Sequence, residues 1–180
     1  MNLDRALLRH RATLGALRGL IPGFSDEAWE RSPAPGEWAP AQVFGHIAII
    51  AKGFSFKNLD ACLAETGHLG GRKRWPGYMI LWLNRLPGAR RIKVEFPPEL
   101  LPIAMNQGEA REAMDALEVR AEAYLTRVAA ADPSRTAKHF LLGWMNAAEW
   151  FRFAEIHHRH HLEGQLTRLL EASKGFPRDR

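Results

Sequence analysis

Four segments of the chain carry apolar residues at helical spacing, and this pattern constrains the fold more than any other feature. The segments cover residues 3–20, 40–66, 106–131 and 146–173, and stretches that contain proline and glycine separate them. Apolar side chains that recur every three or four residues form one face of a helix, and that face must be buried. The sequence therefore predicts an all-α protein in which four long helices pack as a bundle.

Start and stop signals support the ends of these helices. Pro40 is a residue type favoured in the first helical turn, and Asn146 followed by Glu149 matches a capping pair. Asp132-Pro133 is expected to end the third helix, and Gly175 is expected to end the fourth. The helix boundaries therefore rest on local chemistry as well as on periodicity.

The chain between the second and third long helices, residues 67–105, is expected to be irregular. It is rich in glycine, arginine and proline. Its apolar segment Tyr78–Leu83 fits a short helix or a strand, and we favour the helix. No segment shows a convincing strand alternation, and no repeat or linker divides the chain. We therefore predict a single domain over residues 1–180, with a short extra helix and an irregular excursion between the second and third main helices.

Composition narrows the classes of function. Hydrophobic residues make up 46% of the chain, which is enough for one sizeable core, and the single cysteine allows no internal disulfide. The net charge of +5 includes two short basic runs, Arg72–Arg74 and Arg90–Lys93, without interleaved aromatic residues. Solvated loops are favoured there over contacts with anionic small molecules or nucleic acid. No signal peptide or spanning apolar run stands out, so we expect a cytoplasmic protein without membrane or nucleic-acid partners.

Histidines form the most distinctive polar pattern of the sequence. Five of the eight lie on the second and last helices, namely His46, His157, His158, His160 and His161. Residues four apart on a helix differ by about 40° and one turn, so the His157 and His161 imidazoles can reach one ion. The charged residues of the last helix place its solvent face opposite His161. His158 with His161, three residues apart, is the alternative pair, and His160 points toward the helix edge.

His46 projects from a mostly apolar face of the second helix. Val43, Ile50 and Phe54 lie on the same face by the helical rule. A histidine on such a face is often a hydrogen-bonded core residue, and this alternative stays open. Together with an inward pair on the last helix, however, His46 would complete three neutral imidazoles. Three such ligands and one open position are typical of a catalytic zinc site.

Two segments resemble the motifs of the DinB/YfiT-like superfamily. Residues 35–48, PGEWAPAQVFGHIA, look like its first motif, in which a Trp-x-Pro helix start runs into the first ligand histidine. Residues 150–165, WFRFAEIHHRHHLEGQ, look like its second motif, which places two histidines four apart on the last helix. The two motifs stand in the family's order, and the bundle that they imply covers nearly the whole chain.

This resemblance implies an antiparallel four-helix bundle in which His46, His157 and His161 hold a divalent metal ion, usually zinc or nickel. Characterised relatives include thiol S-transferases that use bacillithiol or similar thiols, and a mycothiol-dependent isomerase. We therefore expect a metal-dependent enzyme that activates a low-molecular-weight thiol or water for S-transfer or hydrolysis of a small-molecule substrate. The family also forms dimers frequently. Six tryptophans and the apolar Tyr78–Leu83 segment exceed what the core can hold and likewise favour a homodimer.

Two other functions stay open. A non-catalytic metal- or ligand-binding protein would close its site with a fourth protein ligand. His10, His68 and His139 are expected to be exposed to solvent, so none of them is an obvious fourth ligand. A helical interaction protein without metal would carry the histidines as a basic surface.

Four further side chains bear on the mechanism. Lys57, Gln165 and Arg168 lie where they could hold substrate carboxylates, although a surface or supporting polar role is favoured for each. Cys62 is expected to be a small core or surface residue, not a thiolate nucleophile. The predicted reaction therefore needs no protein nucleophile.

Overall fold

The computed structural model describes residues 2–87 and 98–174 of the chain. Its helices are α1 (Leu3–Leu20), α2 (Asp26–Glu30), α3 (Pro40–Ile49), α4 (Phe56–Leu63), α5 (Trp75–Leu83), α6 (Gln107–Ala129), α7 (Ala147–His161) and α8 (Thr167–Ser173). Single 3-10 turns occupy Ile21–Gly23 and Pro98–Leu100. The basic run Arg90–Lys93 and the helix stop at Gly175 lie outside the described residues.

Two of the long helices contain a wider, π-helical stretch. Ile50–Ser55 joins α3 to α4, and Leu162–Leu166 joins α7 to α8, so that each pair forms one continuous helix. We call these the α3–α4 rod and the α7–α8 rod. Hydrogen bonds from residue i to residue i+5 widen the helix locally and change the direction in which later side chains project.

The predicted four-helix bundle is confirmed. Its members are α1, the α3–α4 rod, α6 and the α7–α8 rod, with α1 packed against α6 and α7, and α4 packed against α7. The second helix ends at Leu63 and the third at Ala129, two to three residues before the predicted ends at 66 and 131. Among the largest fully buried side chains of the core are Leu14, Leu17, Phe44, Ile47, Trp150 and Phe151.

Both hydrogen bonds of the predicted capping pair form at the start of the last helix. The backbone N–H of Glu149 donates to Asn146 Oδ1 at 3.0 Å, and the Asn146 N–H donates to Glu149 Oε2 at 3.1 Å. These bonds satisfy N–H groups that have no partner within the helix. Lys73 also forms an ion pair with Glu149. The cap therefore fixes the start of α7 and attaches the excursion between the second and third main helices to it.

A small antiparallel sheet was not predicted from the sequence. It contains β1 (His68–Leu69), β2 (Arg135–His139) and β3 (Gly143–Asn146) in that order, with Ala137 opposite Met145. The strands span only two to five residues, too few for an alternating pattern to stand out. The last residue of β3 is the α7 cap Asn146, so the sheet sets where the histidine-bearing helix begins.

The segment Tyr78–Leu83 lies in a helix, as predicted. Helix α5 buries Ile80 and Leu81, whereas Trp75, Tyr78 and Trp82 remain exposed on its other side. No helix within residues 2–87 and 98–174 combines the length and the apolar content that crossing a bilayer requires.

Residues 103–105 lie directly on α3 beside His46. A Cβ atom on Gly45 would stand 1.7 Å from the carbonyl oxygen of Ile103, so only glycine permits this approach. The Met105 N–H donates to Ala41 O at 3.2 Å, and the Trp29 indole N–H donates to Met105 O at 2.7 Å. Gly45 therefore allows the chain before α6 to pack closely against α3.

We expect Gly45→Ala to destabilise the protein, because backbone atoms of Ile103 would have to move away from α3. The free energy of unfolding should fall by about 2 kcal/mol or more in urea denaturation. Gly19→Ala is the matched control, since Gly19 is also helical but has no atom within 4 Å of the added Cβ. That change should raise stability by up to about 1 kcal/mol. Equal effects of the two substitutions would contradict the close approach.

Candidate metal centre

The bundle brings His46, His157 and His161 together at one contact between two helices. His46 lies on α3 and the other two lie on α7, and a ligand nitrogen of each lies within 4.8 Å of the other two. The His46 ring centroid is 5.2 Å from that of His157 and 4.8 Å from that of His161. Among the described residues, no fourth histidine, cysteine or carboxylate joins this group. We call these three residues the histidine cluster.

The two α7 members of the cluster have the spacing of ligands that share an ion. His157 Nε2 and His161 Nε2 lie 3.2 Å apart. Two nitrogens bound at about 2.0–2.1 Å to a tetrahedral ion are separated by roughly 3.3 Å. The one-turn separation of the two histidines thus produces a ligand pair without any distortion of the helix.

Gln165 sets the tautomer of His161. The side-chain oxygen Gln165 Oε1 lies 3.0 Å from His161 Nδ1 and can only accept a hydrogen bond. His161 Nδ1 therefore carries the proton, and the lone pair of Nε2 is directed toward His157. A hydrogen bond of this kind at the distal nitrogen is what orients metal-binding histidines in general.

The protein keeps the cluster in the neutral form that binds metals. Burial lowers the pKa of His46 to about 4, with a smaller effect from His160, and it lowers the pKa of His161 to about 3. The pKa of His157 also lies well below 6.5, because of burial and then the neighbouring His161 and His46. The Trp38 ring packs against the His46 ring, with the two centroids 4.7 Å apart. All three imidazoles are therefore uncharged near pH 7.

A family comparison agrees with this geometry. The model of the DinB superfamily matches residues 9–164, which include both histidine-bearing helices. This chain belongs to the DinB superfamily. No curated protein matches the chain.

Two solved structures share the fold of this DinB-superfamily chain. TT2238, a four-helix bundle protein, has a TM-score of 0.51 and 24% identity, covering 90% of this chain and 96% of its own. A DinB-family protein from Exiguobacterium sibiricum 255-15 has a TM-score of 0.55 and 16% identity, covering 99% and 97%. At these identities the likeness concerns the fold alone.

The other last-helix histidines are not members of the cluster of this DinB-superfamily protein. His158 is fully buried on a different side of α7, where its ring centroid lies 5.9 Å from that of His10. The ring of His160 lies beside His161, with the centroids 5.2 Å apart. The structure thus groups the pair four residues apart, His157 and His161, and leaves out the alternative His158.

Two of the three remaining histidines are buried, although the sequence analysis expected all three to be exposed to solvent. His10 is fully buried, and its Nε2–H donates to Phe151 O at 2.9 Å, because His10 shares the inward face of α1 with Leu14 and Leu17. His139 is 5% exposed and accepts a hydrogen bond from the Leu141 N–H at 3.1 Å, because it points inward at the end of β2. His68 is exposed, as expected. Helical spacing from Leu14 and Leu17 was a signal that could have located His10.

The other candidate side chains, Arg168, Lys57 and Cys62, each have different neighbours. Arg168 forms an ion pair with Glu37 at 3.9 Å, and Lys57 is exposed on α4. Cys62 is fully buried, its thiol donates to Met145 O at 3.4 Å, and burial raises its pKa to about 12. Cys62 is therefore a core residue and not a thiolate nucleophile. Trp38 belongs to the first motif, but its contact with His46 does not follow from helical spacing.

We expect the metal-free protein to lose stability as the pH falls from about 6.5 to 4. Burial lowers the pKa of His46 and His139 from 6.5 to about 4. Above pH 6.5 both histidines are neutral in the folded and unfolded states, so they add no pH dependence there. Below it the unfolded chain binds more protons, and the free energy of unfolding falls by about 1.4 kcal/mol per pH unit for each histidine.

Urea unfolding of metal-free protein at pH 7 and pH 5, at constant ionic strength, measures this loss. An unfolding free energy that is the same at both values would contradict the burial of neutral histidines.

Proposed function

We propose that this protein is a metal-dependent enzyme in which His46, His157 and His161 hold one divalent ion, within a single domain over residues 1–180. The observation that carries the proposal is the 3.2 Å separation of two imidazole nitrogens, with a third histidine from another helix beside them. Three protein ligands leave a coordination position for a substrate or water, as in catalytic zinc sites.

The chemistry of the donor set fits zinc or nickel. Neutral imidazole nitrogen suits both of these ions, whereas magnesium and calcium prefer oxygen ligands. The lowered pKa values of His46 and His161 favour the deprotonated nitrogens that an ion requires. The residues present therefore match the metal that the family resemblance implies.

The proposed reaction is S-transfer or hydrolysis on a small-molecule substrate, with a low-molecular-weight thiol or water as the nucleophile. A divalent ion at this site would supply a Lewis acid that lowers the pKa of the thiol or water. The chain itself orients the ligands: Gln165 holds the proton of His161 on Nδ1, and Trp38 packs against the His46 ring. No protein nucleophile is required, which agrees with the buried Cys62.

We further propose a cytoplasmic homodimer. Trp75 is 72% exposed and Trp82 is 82% exposed, and both lie with Tyr78 on one side of α5. An exposed aromatic face of this kind is typical of protein interfaces. A single unpaired cysteine, Cys62, agrees with a reducing compartment.

Tag-free protein is expected to contain about one equivalent of divalent metal per chain. Native mass spectrometry and elemental analysis would report the metal and the subunit number together. Replacing any one of His46, His157 and His161 with alanine should lower the metal content at least about tenfold, because two imidazoles bind a metal ion far more weakly than three.

Two control variants make this metal test specific. His68→Ala removes an exposed histidine and should leave the metal content unchanged. His158→Ala separates the proposed ligand pair from the alternative pair. Metal lost in His158→Ala but kept in His157→Ala would reject the proposed ligands.

Protein loaded with zinc or nickel is expected to conjugate a low-molecular-weight thiol to monobromobimane faster than the uncatalysed reaction. The fluorescence rate should return to background in His157→Ala. It should be unchanged in Cys62→Ala, because the buried Cys62 takes no part in the proposed reaction. Fully loaded protein without turnover of several thiols would instead favour non-catalytic metal binding.

A further inference from the structure

A charged cleft lies between α1 and α7, away from the histidine cluster. It has a volume of about 220 Å³ and is lined by Asn2, Arg5, Ala6, Arg9, Arg152 and Glu155. With about 100° per residue, Arg152 and Glu155 project from the side of α7 opposite to His157 and His161. The bundle thus separates this cleft from the cluster by the width of one helix.

Three arginines face this cleft with little neutralisation. Arg5 and Arg9 are four residues apart on α1, an arrangement that is unfavourable for like charges. Within residues 2–87 and 98–174, no carboxylate lies within ion-pair distance of either of them. Burial lowers the pKa of Arg152, and the positive charge of Arg9 lowers it further. Glu155 and Glu149 act in the opposite direction on Arg152, yet the cleft lining carries more positive than negative charge.

The one acid that lines the cleft has other partners. Glu155 is 2% exposed, and its Oε1 accepts hydrogen bonds from Arg159 Nε at 2.7 Å and Thr13 Oγ1 at 3.1 Å. The negative charge of Glu155 is thus matched by Arg159. Glu155 and Glu149 also attract the Arg152 guanidinium, but neither forms an ion pair with it, and the lining still holds three arginines against one acid.

Arg152 is held in a fixed orientation at the cleft. Its Nε–H donates to Asn84 Oδ1 at 2.8 Å, and Asn84 ends α5 in the left-handed conformation with φ 53°. The terminal Nη groups make no hydrogen bond to the described residues. A guanidinium oriented in this way presents a planar pair of donors, the geometry that recognises carboxylate and phosphate groups. The positive end of the α1 dipole, capped by Asn2, adds to the same potential.

We propose that this cleft binds a small oxyanion with at least two negative charges, a phosphate group or a dicarboxylate, between Arg5, Arg9 and Arg152. The volume of about 220 Å³ accommodates several water molecules, each of which takes about 30 Å³, and therefore a small anion. This site is independent of the metal-dependent reaction proposed above. Its ligand would neutralise the arginines that repel each other in the free protein.

The test is a titration with inorganic phosphate, and separately with succinate, at constant ionic strength maintained with sodium chloride. Two-dimensional ¹H–¹⁵N NMR spectra should show saturable chemical-shift changes of the Asn2–Arg9 amides. The anion that binds more tightly indicates whether the cleft prefers a phosphate group or a dicarboxylate. Arg9→Gln should weaken binding at least about tenfold. It should also raise the melting temperature of the anion-free protein, because a like-charge contact is removed.

Arg111→Gln is the matched control, because Arg111 is an exposed arginine on α6 outside the cleft. Its anion affinity should equal that of the unmodified protein. His157→Ala should also bind the anion normally, so failure of the metal site leaves this test intact. Arg5→Gln provides a second cleft variant if Arg9→Gln does not fold. Shifts that do not saturate, or equal affinities in the Arg5 or Arg9 variant and in Arg111→Gln, would overturn the proposal.

Discussion

The contact between α3 and α7 brings three imidazoles together, with His46 and His161 buried and His157 half-buried, and the rest of the site depends on it. Buried polar groups destabilise a protein unless they find partners. The cluster meets this requirement in part within the chain: Gln165 accepts the Nδ1 proton of His161, whereas the buried Nδ1 of His157 has no hydrogen-bond partner among the described residues. A site with these properties is maintained at a cost in stability. That cost is consistent with a functional role for the cluster.

Local signals explain why the helices could be predicted and the sheet could not. The ends of α6 and α7 follow from caps and apolar spacing that act within a few residues, as the Asn146 and Glu149 hydrogen bonds illustrate. The strands β2 and β3 are stabilised instead by pairing across the turn at residues 140–142, after which Gly143 begins β3 with φ +81°. Such short strands take their conformation from tertiary contacts more than from their own pattern.

The site could be predicted to the extent that regular helical geometry holds. His157 and His161 lie within the regular part of α7, so the four-residue spacing placed them correctly beside one another. The π-helical stretch Ile50–Ser55 lies between His46 and Lys57 and changes the angle per residue, so regular helical spacing does not fix the direction of Lys57 relative to His46. The grouping of His46 with the α7 pair rested mainly on family resemblance. The contact of Trp38 with His46 depends on how the chain enters α3, which no helical spacing describes.

The two sites proposed on opposite sides of α7 have opposite electrostatic requirements. A divalent cation needs neutral or negative ligands, so an arginine beside His157 or His161 would weaken its binding by direct repulsion. The sequence avoids this, because Arg152 is five residues before His157 and therefore projects from the far side of the helix. A helix with its side chains is about 10–12 Å across, so the guanidinium and the imidazoles are separated by roughly that width. Helical phase alone therefore allows one helix to line both a neutral nitrogen cluster and a cationic cleft.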